Sequence, residues 1–250
     1  MGFDWIIYFY PALQVFLRGG DPYTVPDYVN PPWLLVFLAP LGWLPPQWGA
    51  VGMDVITLIG LGLLCRKMGK PRMMIPLAVS FPMAVLLWVA SVDGLSLWGI
   101  ALGGPLGLIL LLTKPQVAAL VGGVWAWTAW REGGWRKVAM LIAPAVVVAL
   151  ISVWLYPNWL PTMLKATGWA HRTTGFPWYF PIGVAVFVAA LRHKREEWAA
   201  LANLMVSPFA TPQSWVAAFS MLGLAYPLEG VVAVAASWLI PVFLLTLLRS

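Results

Sequence analysis

The stretch Asp4-Trp-Ile-Ile-Tyr8 … Leu17-Arg-Gly-Gly-Asp-Pro-Tyr23 … Asn30-Pro-Pro-Trp33 sets the organisation of the chain. It is the most polar long stretch of an otherwise apolar sequence, and it precedes the first segment that could enter a bilayer. Gly19-Gly20 and the Asp-Pro step after them end any helix begun at Asp4. Pro31-Pro32 then starts an apolar segment at a helix N-terminus, where proline costs least. The pattern predicts an amphipathic surface helix over residues 4–17, a turn, an irregular loop and a descent into lipid.

The composition of the whole chain indicates a membrane protein. Its 250 residues are 61% hydrophobic and 10% charged, with a mean hydropathy of +0.83, whereas soluble domains carry about 25% charged residues. The apolar runs are continuous rather than alternating, which favours helices over a barrel. We therefore predict one all-α, polytopic domain over residues 1–250, with residues 1–30 extracytoplasmic and residues 31–250 forming about eight to ten membrane helices. The expected location is a prokaryotic plasma membrane.

Ten apolar segments are the candidate spans, and several of them predict broken helices. Residues 31–44 and 198–210 are too short to cross alone at about 20 residues per crossing. Prolines inside or beside spans, such as Pro105 and Pro144, predict kinks. Discontinuous helices at membrane depth are tolerated where they line a cavity, which favours a site. The candidate spans are 31–44, 48–65, 73–91, 95–112, 116–130, 138–156, 177–191, 198–210, 213–228 and 230–248.

Clusters of lysine and arginine predict the orientation of these spans. The clusters at 131–137 and 192–197 are expected in the cytoplasm, and the loop from Pro157 to Pro177 on the opposite side with residues 1–30. Counting every span places a third cluster, at 66–72, outside as well. Either one intervening segment is re-entrant, or this basic loop is external and binds phosphate.

Several classes of chemistry have no support in the sequence. Cys65 is the single cysteine, and the two histidines lack metal-ligand spacing, so we expect no metal and no cofactor. Nucleotide-binding and hydrolase motifs are absent. The net charge of +6 suits loops that face anionic lipid rather than a nucleic acid. Membrane lipids are therefore expected partners.

Three short segments, in order over most of the chain, carry a resemblance to a known family. They are the Asp4 to Trp33 stretch, Thr113-Lys-Pro-Gln116, and Ser207-Pro-Phe209 followed by Ser214-Trp215. Together they resemble glycosyltransferase family 87, whose members have a GT-C type fold. The resemblance implies transfer of a sugar, often mannose, from a polyprenyl-phosphate donor to an extracytoplasmic lipid or glycan acceptor. Family members usually carry a membrane helix before the opening aspartate, so we expect an N-terminal tail that is translocated by itself, an upstream start, or a reduced relative.

Two aspartates of the first segment are candidates for catalysis. Sugar transfer needs a base that takes the proton of the acceptor hydroxyl while the phosphate leaves, and the resemblance places the presumed catalytic aspartate at Asp4. The alternative is a helix N-cap or a solvated chain end. Asp21, which precedes Pro22, is either a turn residue or a second carboxylate that orients the acceptor.

Two cations are candidates for binding the donor phosphate. The Arg18 guanidinium matches phosphate oxygens, although it could equally snorkel to lipid headgroups. Lys114 follows a strongly apolar run and precedes Pro115. It could neutralise a lipid-linked phosphate, or it could be a loop lysine between two helices.

The remaining candidates for substrate binding come from the matched segments and from one loop. The resemblance adds Tyr23, Asn30 and Gln116. His171-Arg172 could hold phosphate or acceptor if its loop faces the active side, and otherwise belongs to a solvated loop. Three further acidic residues are interpreted as loop, cap or helix-end charges: Asp54, Asp93 and Glu229.

Two other classes of function fit the same sequence. Broken helices and an intramembrane lysine also suit a carrier or a lipid-binding membrane protein without catalysis. The tryptophan content and the short polar loops also suit a structural subunit of a membrane complex. Turnover of a lipid-linked sugar distinguishes a transferase from a carrier, which only needs to bind it.

Overall fold

The computed structural model describes residues 2–166, 178–207 and 211–239, and all regular structure in these ranges is helical. A π-helical turn at Trp5–Phe9 and short 3₁₀ turns, including Val92–Gly94 and Pro212–Trp215, connect or extend the α-helices. The α-helices are α1 (Tyr10–Leu17), α2 (Pro32–Leu38), α3 (Pro46–Lys67), α4 (Met74–Ala78), α5 (Phe81–Val89), α6 (Leu95–Leu102), α7 (Gly104–Leu111), α8 (Pro115–Leu155), α9 (Trp159–Ala166), α10 (Phe180–His193), α11 (Glu196–Val206), α12 (Val216–Ala225) and α13 (Pro227–Ser237).

Two helices, α3 and α8, are long and apolar enough to cross a membrane. The pair α4 and α5 with its preceding 3₁₀ turn makes a third span if it is counted as one, although it bends by 69°. This number is smaller than the eight to ten predicted, because most of the remaining apolar helices of the described ranges are too short to cross alone. α8 is itself two helices joined at a break, since Gly133 and Gly134 leave the helical conformation and Gly134 has φ +64°. Pro144, where a kink was predicted, keeps helical backbone angles.

The N-terminal helix predicted over residues 4–17 is present, and it packs against the protein. Trp5, Phe9 and Leu13 are buried in a cluster with residues of α2 and α3. The helix ends at Leu17, and the chain turns at Gly19, whose φ of +77° suits glycine. Pro32 occupies the first turn of α2, as predicted. Because its buried face contacts α2 and α3, this helix is a packed element of the fold rather than a detached surface segment.

The segment 95–112, predicted as one span, is a helical hairpin. α6 and α7 reverse direction at Gly103 and Gly104, which have φ of +66° and +60°. The two helices lie close together, since a Cβ at Gly99 would be 2.9 Å from the carbonyl oxygen of Gly107. Glycine permits both the positive φ angles and the close approach. The hairpin therefore brings the residues just before α6 close to the residues just after α7.

All three basic clusters lie at one end of the bundle, which we call the basic end. Lys67 Nζ donates to the carbonyl oxygen of Ile100, near the α6–α7 turn, at 2.6 Å. Gly104 of that turn lines a cavity together with Lys137 and Lys194. Counting residues 95–112 as one crossing placed the 66–72 loop at the opposite end. Because α6 and α7 form a hairpin, this segment adds no net crossing. One of the two alternatives for this loop, a re-entrant segment, thus fits the structure.

The opposite end, which we call the N-terminal end, holds residues 18–30 and the start of the predicted Pro157–Pro177 loop. Asn158 Nδ2 donates to Asp21 Oδ2 at 3.3 Å, and the Tyr23 and Tyr156 rings pack edge to face. The predicted placement of these two regions on the same side therefore agrees with the structure. Part of the predicted loop is helical, because α9 begins at Trp159.

Candidate functional site

A buried ion pair between Asp93 and Lys114 forms the centre of the site. Lys114 Nζ donates to Asp93 Oδ2; the Asp93 side chain is 0% exposed and that of Lys114 is 15% exposed. Ser91 Oγ donates to the same carboxylate oxygen at 2.7 Å, and Ser214 Oγ donates to Asp93 Oδ1 at 2.8 Å. Three donors satisfy this buried carboxylate, as a buried charge requires.

The α6–α7 hairpin places the two charges together. Asp93 lies in the 3₁₀ turn that precedes α6, and Lys114 lies in the link from α7 to α8. The pair lies beside the middle of α3. Gly94, which follows Asp93, is so close to this helix that a Cβ added there would contact the Thr57 side chain. Trp98, one helical turn further along α6, donates from Nε1 to the Ile56 carbonyl at 2.7 Å. The site therefore lies at mid-length of one of the helices long enough to span a membrane.

Asp4 reaches the same cluster from the N-terminal segment. Its side chain makes no cap hydrogen bond to the helix that follows, so the N-cap interpretation is wrong. It lies within interaction range of the Ser91 side chain, Lys114 and Asp93. Burial raises the pKa of the Asp4 carboxyl above its ordinary value, and Lys114 and the Ser91 hydroxyl offset part of that rise. A second carboxyl group therefore lies near the Asp93–Lys114 pair.

The Ser91 hydroxyl belongs to the ion pair. Lys114 Nζ also donates to Ser91 Oγ, at 3.2 Å. A hydroxyl carries one proton, and Ser91 donates it to Asp93.

The third matched segment contributes Ser214. This residue lies in the 3₁₀ turn before α12, and its Oγ is 3.0 Å from Thr211 Oγ1. Asp4, Lys114 and Ser214 come one each from the three segments on which the family resemblance rests. The structure places all three around the carboxylate of Asp93. Pro208 and Phe209 of the third segment are outside the described residues.

Asn203 of α11 fixes the backbone just after Lys114. Its Nδ2 donates to the carbonyl oxygen of Gln116 at 2.6 Å, and its Oδ1 accepts from the backbone N–H of Leu120 at 2.9 Å. These bonds replace helical ones that are lost where Ala118 leaves the helical conformation. Gln116, a predicted substrate-binding residue, thus contributes its backbone carbonyl to the support of Lys114.

The other predicted residues of the first segment form a separate group at the N-terminal end. Asp21 accepts from the backbone N–H of Tyr23 at 2.9 Å and caps the turn, as its turn interpretation predicts. The Tyr23 hydroxyl donates to the Asn30 carbonyl at 2.7 Å. Arg18 is exposed at the end of α1, and it makes no ion pair with any described residue. His171 and Arg172 lie outside the described residues.

Two acidic residues differ from the sequence interpretation. Asp93, interpreted as a loop or cap residue, is the buried centre of the cluster. Asp54, interpreted as a helix-end charge, lies inside α3, and its Oδ1 has no hydrogen-bond partner among the described residues. Glu229 lies in the first turn of α13, as expected. Residues 73–130 contain one acid, Asp93, and one base, Lys114. This pairing in an apolar stretch is the signal that could have identified the ion pair.

No metal site is formed by the described part of the chain, where no group of three His, Cys, Asp or Glu side chains comes together. Comparisons with protein-family models, with curated proteins and with solved structures give no match for this chain. The function is therefore argued from the site.

Proposed function

We propose that this chain is a multi-pass membrane glycosyltransferase of GT-C type, which transfers a sugar from a polyprenyl-phosphate donor to an extracytoplasmic acceptor. The observation that carries the proposal is the meeting of Asp4 and Lys114, a candidate base and a candidate phosphate-binding cation, in one cluster. They are far apart in sequence, and they belong to two of the segments that carry the family resemblance. Mannose is the sugar that the family resemblance favours.

In the proposed chemistry, each charged residue of the cluster has one role. The Asp4 carboxylate accepts the proton of the acceptor hydroxyl, and a pKa raised by burial makes it a stronger base once it is ionised. Lys114 neutralises the phosphate that leaves with the polyprenyl chain. Asp93 positions Lys114 through their ion pair, and Ser214 holds the second oxygen of Asp93.

The proposed orientation places the basic end in the cytoplasm and the N-terminal end outside a prokaryotic plasma membrane. Lys67, Lys137 and Lys194 support this orientation, because positive charge accumulates on cytoplasmic loops. Asp4 then approaches the cluster from the extracytoplasmic side, where the acceptor is expected.

The test is transfer from a radiolabelled polyprenyl-phosphate mannose by the purified protein in detergent. Asp4→Asn should lower the rate by about 10²–10⁴-fold, and Lys114→Gln should weaken donor binding as well as turnover. Asp27→Asn is the matched control, because Asp27 is exposed in the same segment and its positive φ of +59° suits asparagine. Transfer that is unchanged in Asp4→Asn would remove Asp4 from the mechanism.

A second candidate, a proton-linked carrier, is favoured by one specific observation. Lys114 is already neutralised by Asp93, and Asp4 is a further carboxyl that can take up a proton. A cluster of two carboxyls and one ammonium at the ends of helices suits coupled binding and release. Lipid-sugar binding without transfer by any variant, together with pH-dependent uptake into proteoliposomes, would favour the carrier over the transferase.

A further inference from the structure

A cavity with several charged residues in its lining lies at the basic end, away from the Asp93–Lys114 cluster. It has a volume of about 650 Å³, which is within the usual range for small-molecule sites. Its polar lining comes from Trp125, Thr128, Glu132, Lys137, Lys194 and Glu196. Thr128 follows Lys114 by 14 residues, which corresponds to about 20 Å along a helix.

The break in α8 shapes this cavity. Residues 124–132 of the first half and 137–141 of the second half line it on either side of Gly133-Gly134. Gly134 has φ +64° with open space around it, so glycine here is required by the backbone rather than by a neighbour. The start of α7, at Gly104 and Pro105, and the turn between α10 and α11 close the remaining sides. The apolar part of the lining includes Met140 and Leu141.

The charges that line the cavity are only partly used within the protein. Lys137 and Glu132 pair with each other at 3.3 Å. Lys194 and Glu196 have no oppositely charged partner in the described ranges, and Glu196 accepts one neutral hydrogen bond, from Trp125 Nε1 at 2.8 Å. One cation and one anion are thus left on the same wall, two residues apart in sequence.

We propose that this cavity binds the headgroup of a zwitterionic phospholipid that carries a phosphate and a primary ammonium. The phosphate would contact Lys194, and the ammonium would contact Glu196, so both unpaired charges would be satisfied. The acyl chains would follow the apolar grooves that flank the second half of α8, which are lined by Trp130, Trp135 and Val138. The basic residues at this end would place the lipid in the leaflet that faces them. This proposal does not depend on sugar transfer.

The test is native mass spectrometry of the purified protein, titrated with phosphatidylethanolamine and with phosphatidylglycerol of the same acyl chains. Wild type should bind phosphatidylethanolamine about tenfold more tightly, because a charge-assisted contact to Glu196 is available only to the amine. Glu196→Gln keeps an acceptor for Trp125 and should abolish this preference. Lys194→Asn should weaken both lipids by about tenfold, and asparagine tolerates the φ of +53° at that position.

Lys70→Asn is the matched control, because Lys70 is an exposed lysine of the same end that does not line the cavity. Equal affinity of wild type for the two lipids would overturn the proposal, as would an equal loss in Lys70→Asn and Lys194→Asn. Glycerophosphoethanolamine, the headgroup without acyl chains, should compete at least tenfold less well. Equal competition would overturn the assignment to a lipid. Thermal unfolding of each variant verifies that a loss of binding is not a loss of fold, and Glu196→Gln tests the preference even if Lys194→Asn does not fold.

Discussion

Removing the cation of the central cluster should destabilise the protein more than removing any surface lysine. In Lys114→Met the Asp93 carboxylate stays fully buried and keeps only its two serine donors, at 2.7 and 2.8 Å. Breaking a buried ion pair lowers the free energy of unfolding by about 3–5 kcal/mol. We expect a loss of about 3 kcal/mol here, because the two serines still donate to the carboxylate. For a chain of this size, about 2–4 °C per kcal/mol converts this loss to a fall in Tm of roughly 6–12 °C.

The partner variant should behave differently because of Asp4. In Asp93→Asn the ammonium of Lys114 can pair with the Asp4 carboxylate, which lies within its electrostatic range, so the fall in Tm should be smaller. The double variant Asp93→Asn/Lys114→Met removes both charges and keeps an acceptor for the serines. Its free energy of unfolding should lie within about 1–2 kcal/mol of that of wild type.

The assay is thermal unfolding of the four proteins in one detergent, followed by intrinsic fluorescence. Lys137→Met is the control, since Lys137 and Glu132 are each 53% exposed and an exposed pair contributes at most about 1 kcal/mol. Single losses that simply add in the double variant would show that the two charges are not coupled and would refute the reasoning. A Tm of Lys114→Met equal to that of Lys137→Met would refute it as well.

Three further predictions concern the hydrogen bonds of Asn203, the pH dependence of the Tm and the orientation of the protein in the membrane. Asn203→Ala should lower stability by about 1–3 kcal/mol, because it removes bonds at 2.6 and 2.9 Å from the start of α8; equal Tm values would contradict this. Because the folded pKa of Asp4 is raised above 3.8, its proton stabilises the fold at low pH. The Tm should therefore fall as the pH rises through that raised pKa, and this slope should be absent in Asp4→Asn. In a background with Cys65→Ser, a membrane-impermeant thiol reagent outside intact cells should label Thr24→Cys and not Lys70→Cys, and the reverse result would invert the orientation.

The sequence predicted the positions of most helices but not how the short ones are arranged. Apolar runs and prolines indicated the starts of α2 and α3 to within a few residues, because these signals are local. The reversal at Gly103-Gly104 was missed, since an apolar run that contains two glycines has the same composition whether it continues or turns back. The basic end could not be recognised without that reversal.

The candidate site was predicted in part. Asp4 and Lys114 were selected through short matched segments, and the structure brings them together. Asp93 was missed because its side chain is next to a glycine, where aspartate usually caps or turns, and its partner is 21 residues away. Asp21, chosen from the same segment as Asp4, instead caps a local turn. Short-range hydrogen bonds such as this one follow from the local sequence, whereas buried ion pairs depend on the tertiary arrangement.

The α6–α7 hairpin also bears on how the chain enters a membrane during synthesis. Asp93 leaves the ribosome 21 residues before Lys114, and either charge alone would cost about 2.5–3.5 kcal/mol at the centre of an inserting helix. Since the hairpin closes through the local turn at Gly103-Gly104, the two charges can meet as soon as Lys114 emerges. Ser214, the other donor to Asp93 from a distant segment, is synthesised about one hundred residues later. Residues 93–114 can therefore insert as an electrically neutral hairpin before Ser214 completes the site.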